Sequence, residues 1–406
     1  MKKKILITRK LLRSNEEKAS KLWDAKLNLN DEVYSQKKLI ELSEGFDGIL
    51  SCLTDKIDEK VINSLPSSIK IISNFAVGFG NIDHEAAKKR NIAITNTPDV
   101  LTDATAEIAM LLILGACRRA NEGINYARKE NWKWSADFLI GKQLSGSRLG
   151  ILGMGRIGRA VAARAKAFGM RVIAYDPYLS NERSNVLGVE KFEFADALTQ
   201  GDVVSLHVPL AMETDYPTYG LIDAAFLATL PHSATLINTC RGSVVDEAAL
   251  LKLLIKRPDL TCIVDVWENE PIPNSSLVER VDIATPHIAG YSVEAKRRAI
   301  THVLGRFRKE FDLPGQEEPT YEDSKALKVT NILKDDPWAT VLKLFPLCNF
   351  SKKFKMSYAH ENRADVFDRF RQNMVTRREF NKMKLPYTNL AETQRSILEA
   401  LDMEFY

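Results

Sequence analysis

Three polar side chains that could together handle a proton and a carboxylate, Arg241, Glu270 and His287, lie downstream of the turn Gly153-Met154-Gly155-Arg156-Ile157-Gly158. A planar guanidinium binds a carboxylate and a neighbouring oxygen in fixed geometry, so Arg241 suits a clamp on a 2-oxo acid. An imidazole exchanges a proton near neutral pH, and a carboxylate beside it favours the charged form. Paired with Glu270, His287 would donate a proton in reduction and accept one in oxidation. The glycines supply the complementary half. Gly153 permits a tight turn, Gly155 admits backbone amides close to a pyrophosphate, and Gly158 lets a helix pack closely on a strand. The helix N-terminus then faces the anion. Eighteen residues after Gly158 stands Asp176, where a carboxylate could accept both ribose hydroxyls of NAD and repel the 2′-phosphate of NADP. The combined chemistry is hydride transfer between a nicotinamide and C2 of a 2-hydroxy or 2-oxo acid.

These groups need strand ends to hold them. A βα series beginning at Arg148-Leu149-Gly150-Ile151-Leu152 continues through Val172 to Tyr175, Val203 to Leu206, Leu236 to Asn238 and Ile263 to Val266. Arg241, Glu270 and His287 each follow an apolar run, which places them at the sheet edge where ligands of open α/β sheets collect. An earlier series, Lys4 to Ile7, Asp47 to Leu50, Ile69 to Ile72 and Ile92 to Ile94, predicts a second parallel sheet. Thr102 to about Ala120 reads as one long buried helix, and Ser292 to Phe311 as another. The stretch Pro314-Gly315-Gln316-Glu317-Glu318-Pro319 reads as a linker to a third unit containing a charged helical segment, Arg363 to Lys384.

At 406 residues the chain exceeds one ordinary core. Apolar residues make up 45% and charged residues 27%, a soluble globular composition. The net charge of +4 is too small a bias for nucleic acid, and the pair Trp132 and Trp134 around Lys133 is too isolated for base stacking. No apolar run reaches membrane-spanning length, so neither a membrane nor secretion is expected and the cytoplasm is the default. Cysteines 52, 117, 240, 262 and 348 contain no C-x-x-C pair, so buried thiols are expected and no metal.

Over roughly residues 1–312 the chain resembles the D-isomer-specific 2-hydroxyacid dehydrogenases. The resemblance rests on Leu152 to Gly158, Asn238-Thr239-Cys240-Arg241-Gly242, Asp265-Val266-Trp267-Glu268-Asn269-Glu270-Pro271 and Pro286-His287-Ile288-Ala289-Gly290. It implies an α/β fold of two Rossmann-like, doubly wound parallel-sheet domains. A substrate domain would cover 1–100 and 288–312, an NAD-binding domain 101–287, and a small α+β dimerisation domain 313–406. It also implies a homodimer acting on a small 2-hydroxy or 2-oxo acid. Arg241 would be the substrate clamp, His287 the acid/base and Glu270 its partner. The cofactor would be lined by Gly153, Gly155, Arg156, Ile157, Gly158, Asp176, Val208, Cys240, Asp265 and Gly290.

Two branches of the family share the resemblance. Residues 72–120 look like glyoxylate/hydroxypyruvate reductases, in which the amides of Val77 and Gly78 would bind the substrate carboxylate. From about 200 onward, His207-Val208-Pro209-Leu210 and Tyr291 look like 4-phosphoerythronate dehydrogenase of pyridoxine synthesis, as do Phe367 to Arg371 and Arg377 to Phe380. A junction between about 170 and 200 would fit a chimeric chain. Cys52, Ala76, Val77, Gly78, Arg241 and Tyr291 form the expected substrate pocket. Cys52 and Ala76 stand where the phosphoerythronate enzyme carries hydroxyl side chains. Arg363, Arg369, Arg377 and Arg378 are candidates for a substrate phosphate. The reading leans narrowly to 4-phosphoerythronate, with glyoxylate or hydroxypyruvate as the alternative. A non-catalytic, NAD-sensing corepressor-like dimer is the distant third.

Overall fold

The computed structural model describes residues 2–127, 140–313, 327–328, 346–385, 395, 398–399 and 403–405. They belong to two compact units, Met1–Leu101 with Ser292–Ser324, and Thr102–Tyr291 with Lys325–Tyr406. Trp132, Lys133, Trp134 and the 314–319 linker lie outside the described residues.

The first unit is built on a parallel sheet of β1 (Lys4–Ile7), β2 (Asp24–Lys26), β3 (Gly48–Ser51), β4 (Ile71–Asn74) and β5 (Ala93–Thr95), in the order β2-β1-β3-β4-β5. Successive side chains of a strand point to opposite faces, and here both faces are covered. Ile5, Ile7, Leu50 and Ile71 cluster with Ile300, Val303, Leu304 and Phe307 of the helix Val293–Glu310. Leu6, Ile49 and Ile72 cluster on the other side with Leu39, Val61 and Ile62. A Cβ on Gly48 would lie 2.9 Å from Phe307 Cε1, so the bare backbone there admits the ring. Phe307 is fully buried, and truncating it to Ala would cost about 3–5 kcal/mol. Ser292 caps the helix by accepting from the Ala295 amide at 2.9 Å, at the start the sequence predicts.

The main sheet of the second unit has, among the described residues, seven parallel strands, β6 (Arg148–Leu152), β7 (Arg171–Tyr175), β8 (Glu190–Lys191), β9 (Val203–Leu206), β10 (Thr235–Asn238), β11 (Thr261–Val264) and β12 (Ile283–Ala284). Their order is β12-β11-β10-β9-β6-β7-β8, so the winding reverses between β6 and β9. Ligands of doubly wound sheets bind outside the strand C-termini at such a reversal. The helix Arg156–Ala167 buries Gly158, Val161, Ala162 and Ala165, one face at helical spacing. The helix Thr102–Cys117 is buried on nearly every side, as its richness in Ala, Leu and Ile requires. It stops short of the predicted Ala120. Arg119 takes a positive φ of 48°, and a second helix, Ala120–Ala127, begins there.

The C-terminal part departs from expectation twice. A separate third unit is expected, but the second compact unit includes Lys325–Tyr406. The physical reason is burial. Phe354, Tyr358, Val366 and Phe367 join the core of Leu206, Leu236 and Trp267, while Leu347, Phe380 and Met383 join that of Ile151, Val161 and Ile237. The predicted helical segment Arg363 to Lys384 is a true helix only over Arg363–Gln372. Short 3-10 turns follow at Asn373–Thr376 and Phe380–Lys382, then β14 (Met383–Leu385), which lies in a small sheet between β13 (Leu327–Lys328) and β15 (Glu404–Phe405). Asn373, Val375 and Thr376 are weak helix formers, and the burial of Arg377 and Phe380 outweighs the helical pattern.

Candidate active site

β6 ends at Leu152, and Gly153 turns the chain at φ 95°, a conformation that favours glycine. Its amide donates to Tyr175 O at 2.9 Å. A Cβ on Gly153 would meet His207 O at 2.6 Å and Val208 Cγ1 at 2.9 Å, and one on Gly158 would meet Gly153 O at 2.0 Å. Gly153, Gly158 and Val208 are thus pressed together across the winding reversal. A Cβ on Gly155, by contrast, would find nothing within 4 Å. Gly155 is the N-cap of the Arg156–Ala167 helix and supplies no side-chain cap, so the helix start is left to the exposed Arg156 and half-buried Ile157. Asp176 comes to the same place. One carboxylate oxygen accepts from the Met154 amide at 2.7 Å, the other from the Tyr178 amide at 2.9 Å. An open, uncapped helix start beside a half-buried carboxylate fits a dinucleotide, with the pyrophosphate at Gly155 to Ile157 and a ribose at Asp176.

The second cluster lies past β10, β11 and β12. Asn238 closes the turn into Arg241, accepting from the Cys240 amide and donating to Arg241 O, both at 3.0 Å. Cys240 is buried, and burial pushes its thiol up to about 11, so it stays neutral and apolar. Arg241 is half-buried and donates to Cys240 O at 2.6 Å. Gly242 is the hinge of the arrangement. A Cβ there would fall 1.9 Å from the Trp267 carbonyl carbon and 2.2 Å from the Glu268 amide nitrogen, so the two loops touch backbone to backbone. Behind them Glu247 accepts from the Glu268 amide at 2.8 Å. Burial pushes its carboxyl up to about 7, with the Glu268 amide pulling the other way.

Glu270 and His287 meet directly. His287 Nδ1 lies 2.7 Å from Glu270 Oε2, while Oε1 accepts from the Trp267 amide at 2.9 Å. Burial pushes the Glu270 carboxyl up, but the His287 charge and hydrogen bond and the Trp267 amide outweigh it and hold Glu270 below the usual range. With Nδ1 occupied, Nε2 is the nitrogen left to exchange a proton with a substrate. His287 has a positive φ of 53°, strained for a non-glycine residue and held by its surroundings. Those surroundings are Asp265. Its backbone oxygen accepts from the His287 amide at 2.6 Å. Its fully buried carboxylate accepts from Thr285 Oγ1 at 2.6 Å, the Ile288 amide at 2.9 Å and the Ala289 amide at 3.0 Å. The sequence places Asp265 among the residues lining the cofactor, and here its carboxylate also holds the histidine turn. An acid directly after a strand carries no sequence signal for that task, and neither does Gly242 for the backbone contact it permits.

Gly290 is half-buried in the turn after His287, and Tyr291 lies beneath Arg371, whose guanidinium carbon is 5.3 Å from the ring centroid. In the first unit, Ala76 O accepts from the Thr97 amide, Val77 O from Asn96 Nδ2 and Gly78 O from Asn74 Nδ2. With three carbonyls tied back, the Val77 and Gly78 amides donate to no group among the described residues. Cys52 is half-buried, its amide bonded to Asp55, and burial pushes its thiol up to about 12. The phosphate candidates divide. Arg369 pairs with Glu361 on the surface, Arg363 lies 5.7 Å from the Tyr358 ring centroid, and Arg377 is buried against Glu107. Among the described residues no group of His, Cys, Asp and Glu could hold a metal ion, and no helix is long and apolar enough to cross a membrane.

Comparison with known proteins gives the family. Residues 110–289 match the family model of the D-isomer specific 2-hydroxyacid dehydrogenase NAD binding domain. The chain is 39% identical to a glyoxylate reductase of Korarchaeum cryptofilum over 302 residues, 73% of this chain and 90% of that protein. It is 34% identical to a glyoxylate reductase of Pyrococcus furiosus over 335 residues, 81% of this chain and 98% of that protein. Both matches run past the junction expected at 170–200. The crystal structure of a glyoxylate reductase from Paecilomyes thermophila superposes with a TM-score of 0.66 at 29% identity, covering 79% of this chain and 99% of that one. The chain belongs to the D-isomer-specific 2-hydroxyacid dehydrogenases, oxidoreductases whose NAD-binding domain it carries.

Proposed function

We propose that the protein reduces glyoxylate or a close 2-oxo acid such as hydroxypyruvate, with His287 as the proton donor. The observation that carries this reading is the Glu270–His287 contact at 2.7 Å on a turn fixed by a buried Asp265. The nicotinamide cofactor, when bound, supplies the hydride to C2. The chain's own residues do the rest. His287 Nε2 hands its proton to the oxygen at C2, and Glu270 stabilises the imidazolium before transfer and keeps the ring oriented. Arg241 holds the substrate carboxylate, with the carbonyl oxygen alongside. In the first unit taken by itself, the Val77 and Gly78 amides donate to no group among the described residues, which supports their binding a carboxylate. Asp176 selects NAD over NADP through the ribose hydroxyls.

The curated relatives support glyoxylate over 4-phosphoerythronate, the substrate to which the sequence alone leans. Of the arginines expected for a substrate phosphate, Arg377 is buried against Glu107, which supports the same choice. A homodimer is the assembly the family resemblance implies. The test is NADH oxidation with glyoxylate and with hydroxypyruvate, beside NAD reduction with 4-phosphoerythronate. Turnover with the small oxo acids is expected. Turnover confined to the phosphorylated acid would overturn the assignment.

A further inference from the structure

The family model ends at residue 289, yet later residues reach back to the segment that carries His287. Three contacts bracket that segment. Before it, Ser351 of the helix Leu347–His360 accepts from the Ala284 amide at 2.9 Å, on the outer edge of β12. After it, Arg377 donates through Nη1 to Ala289 O at 3.0 Å and to Tyr291 O at 2.7 Å. On the Tyr291 ring lies the Arg371 guanidinium. Arg377 is itself anchored on the Thr102–Cys117 helix, donating through Nη2 to Ala104 O at 2.7 Å and to Glu107 Oε2 at 3.2 Å. The pair is interior, with side chains 7% and 1% exposed, and Glu107 Oε1 accepts from the Phe380 amide at 2.8 Å.

A buried charge pair is a poor source of stability, because desolvation consumes most of the attraction. Its value is geometric. A planar guanidinium with several donors at fixed angles can tie two carbonyls of one turn to a helix, which a point charge cannot do. Asp265 holds the His287 turn by its amides and Arg377 holds it by its carbonyls, so the turn is fixed on both sides of its peptide planes.

We infer that the C-terminal segment braces the catalytic histidine and that Arg377 is a positioning residue for proton transfer. The inference rests on the reading of His287 as the acid/base and adds a residue that lies outside the family's NAD-binding domain. Misplacing a catalytic group by about 1 Å costs on the order of a hundredfold in rate, whereas cofactor affinity, set at the Gly153 turn, should not change.

The test compares R377M, R377K, S351A and H287Q in the full chain. Its readouts are kcat, KM for glyoxylate, the pH profile of kcat, and NADH affinity by fluorescence. R377M should lower kcat about tenfold to a hundredfold and displace the pH limb of kcat, with NADH affinity within about twofold of wild type. R377K keeps a charge opposite Glu107 but cannot reach all four acceptors, so its loss should be intermediate, and S351A should lose least. If R377M fails to fold, R377K carries the test. A folded R377K with wild-type kcat and pH profile would overturn the inference, as would kcat and NADH affinity falling in parallel. Activity retained in H287Q would instead remove the reading beneath it, an outcome separable from any failure of the brace.

Discussion

Two turns of the same sheet, after β6 and after β12, hold their functional groups by opposite means. The cofactor turn works by what is missing. Gly153 and Gly158 have no side chains where a Cβ would strike His207 O or Gly153 O, and the groups it offers are backbone amides. The histidine turn works by what is added. Its strained backbone is held by Asp265, by Thr285 bonded to that carboxylate, and by Arg377 far along the chain. A turn made of glycines is written locally. A turn made of buried polar contacts is spread over distant positions and fails when any partner is lost.

Asp265→Asn strikes the histidine turn hardest. An amide offers one acceptor oxygen where the carboxylate offers two, which leaves a buried donor unmet at about 1–3 kcal/mol each. Urea unfolding should show a loss of that order, together with loss of glyoxylate reduction. Wild-type stability in D265N would put the hold on His287 elsewhere. Gly158→Ala is the matching blow to the cofactor turn. The added Cβ meets backbone, so about 1–3 kcal/mol of stability and most NADH affinity should go, read by thermal melts and fluorescence titration. Unchanged binding would show that the close approach is dispensable.

Glu270→Gln sharpens the comparison within the histidine turn. The native carboxylate is held below its usual range against burial, so it stays ionised well into acid and stabilises the imidazolium. Its removal should move the loss of reductase activity with rising pH towards the acid side, measured as the pH profile of kcat. An unmoved limb would exclude Glu270 as the charge partner. The smallest effect belongs to Glu247→Gln, behind Gly242. Burial raises the native carboxyl from its ordinary 4.5 to about 7, so the folded state binds the proton more tightly. Wild-type stability should therefore fall as pH rises between those values, and E247Q should flatten that slope in urea midpoints taken across the window. An unchanged slope would place the titrating group elsewhere.

The contrast also explains what could be read in advance. Both parallel sheets, the glycine turn, Asp176 beside it and the Glu270–His287 pair follow from local pattern, because apolar runs and glycines act on their own neighbours. Gly242, the anchoring role of Asp265 and the burial of Arg377 do not, since each depends on a backbone or side chain brought close only by folding. Arg377 stands in a run of charges that reads as a solvated helix face, and the Glu107 carboxylate with three carbonyls from distant positions turns it inward. The role of the C-terminal segment eludes the sequence for the same reason. Its apolar residues, Phe354 and Phe367 among them, complete the nucleotide unit's core rather than one of their own.

That His287 donates the proton is tested most directly by the H287Q variant, through its glyoxylate reduction beside its NADH affinity. Loss of kcat by about a hundredfold to ten-thousandfold, with NADH affinity kept, is the predicted result. Turnover near wild type with intact NADH binding would contradict it.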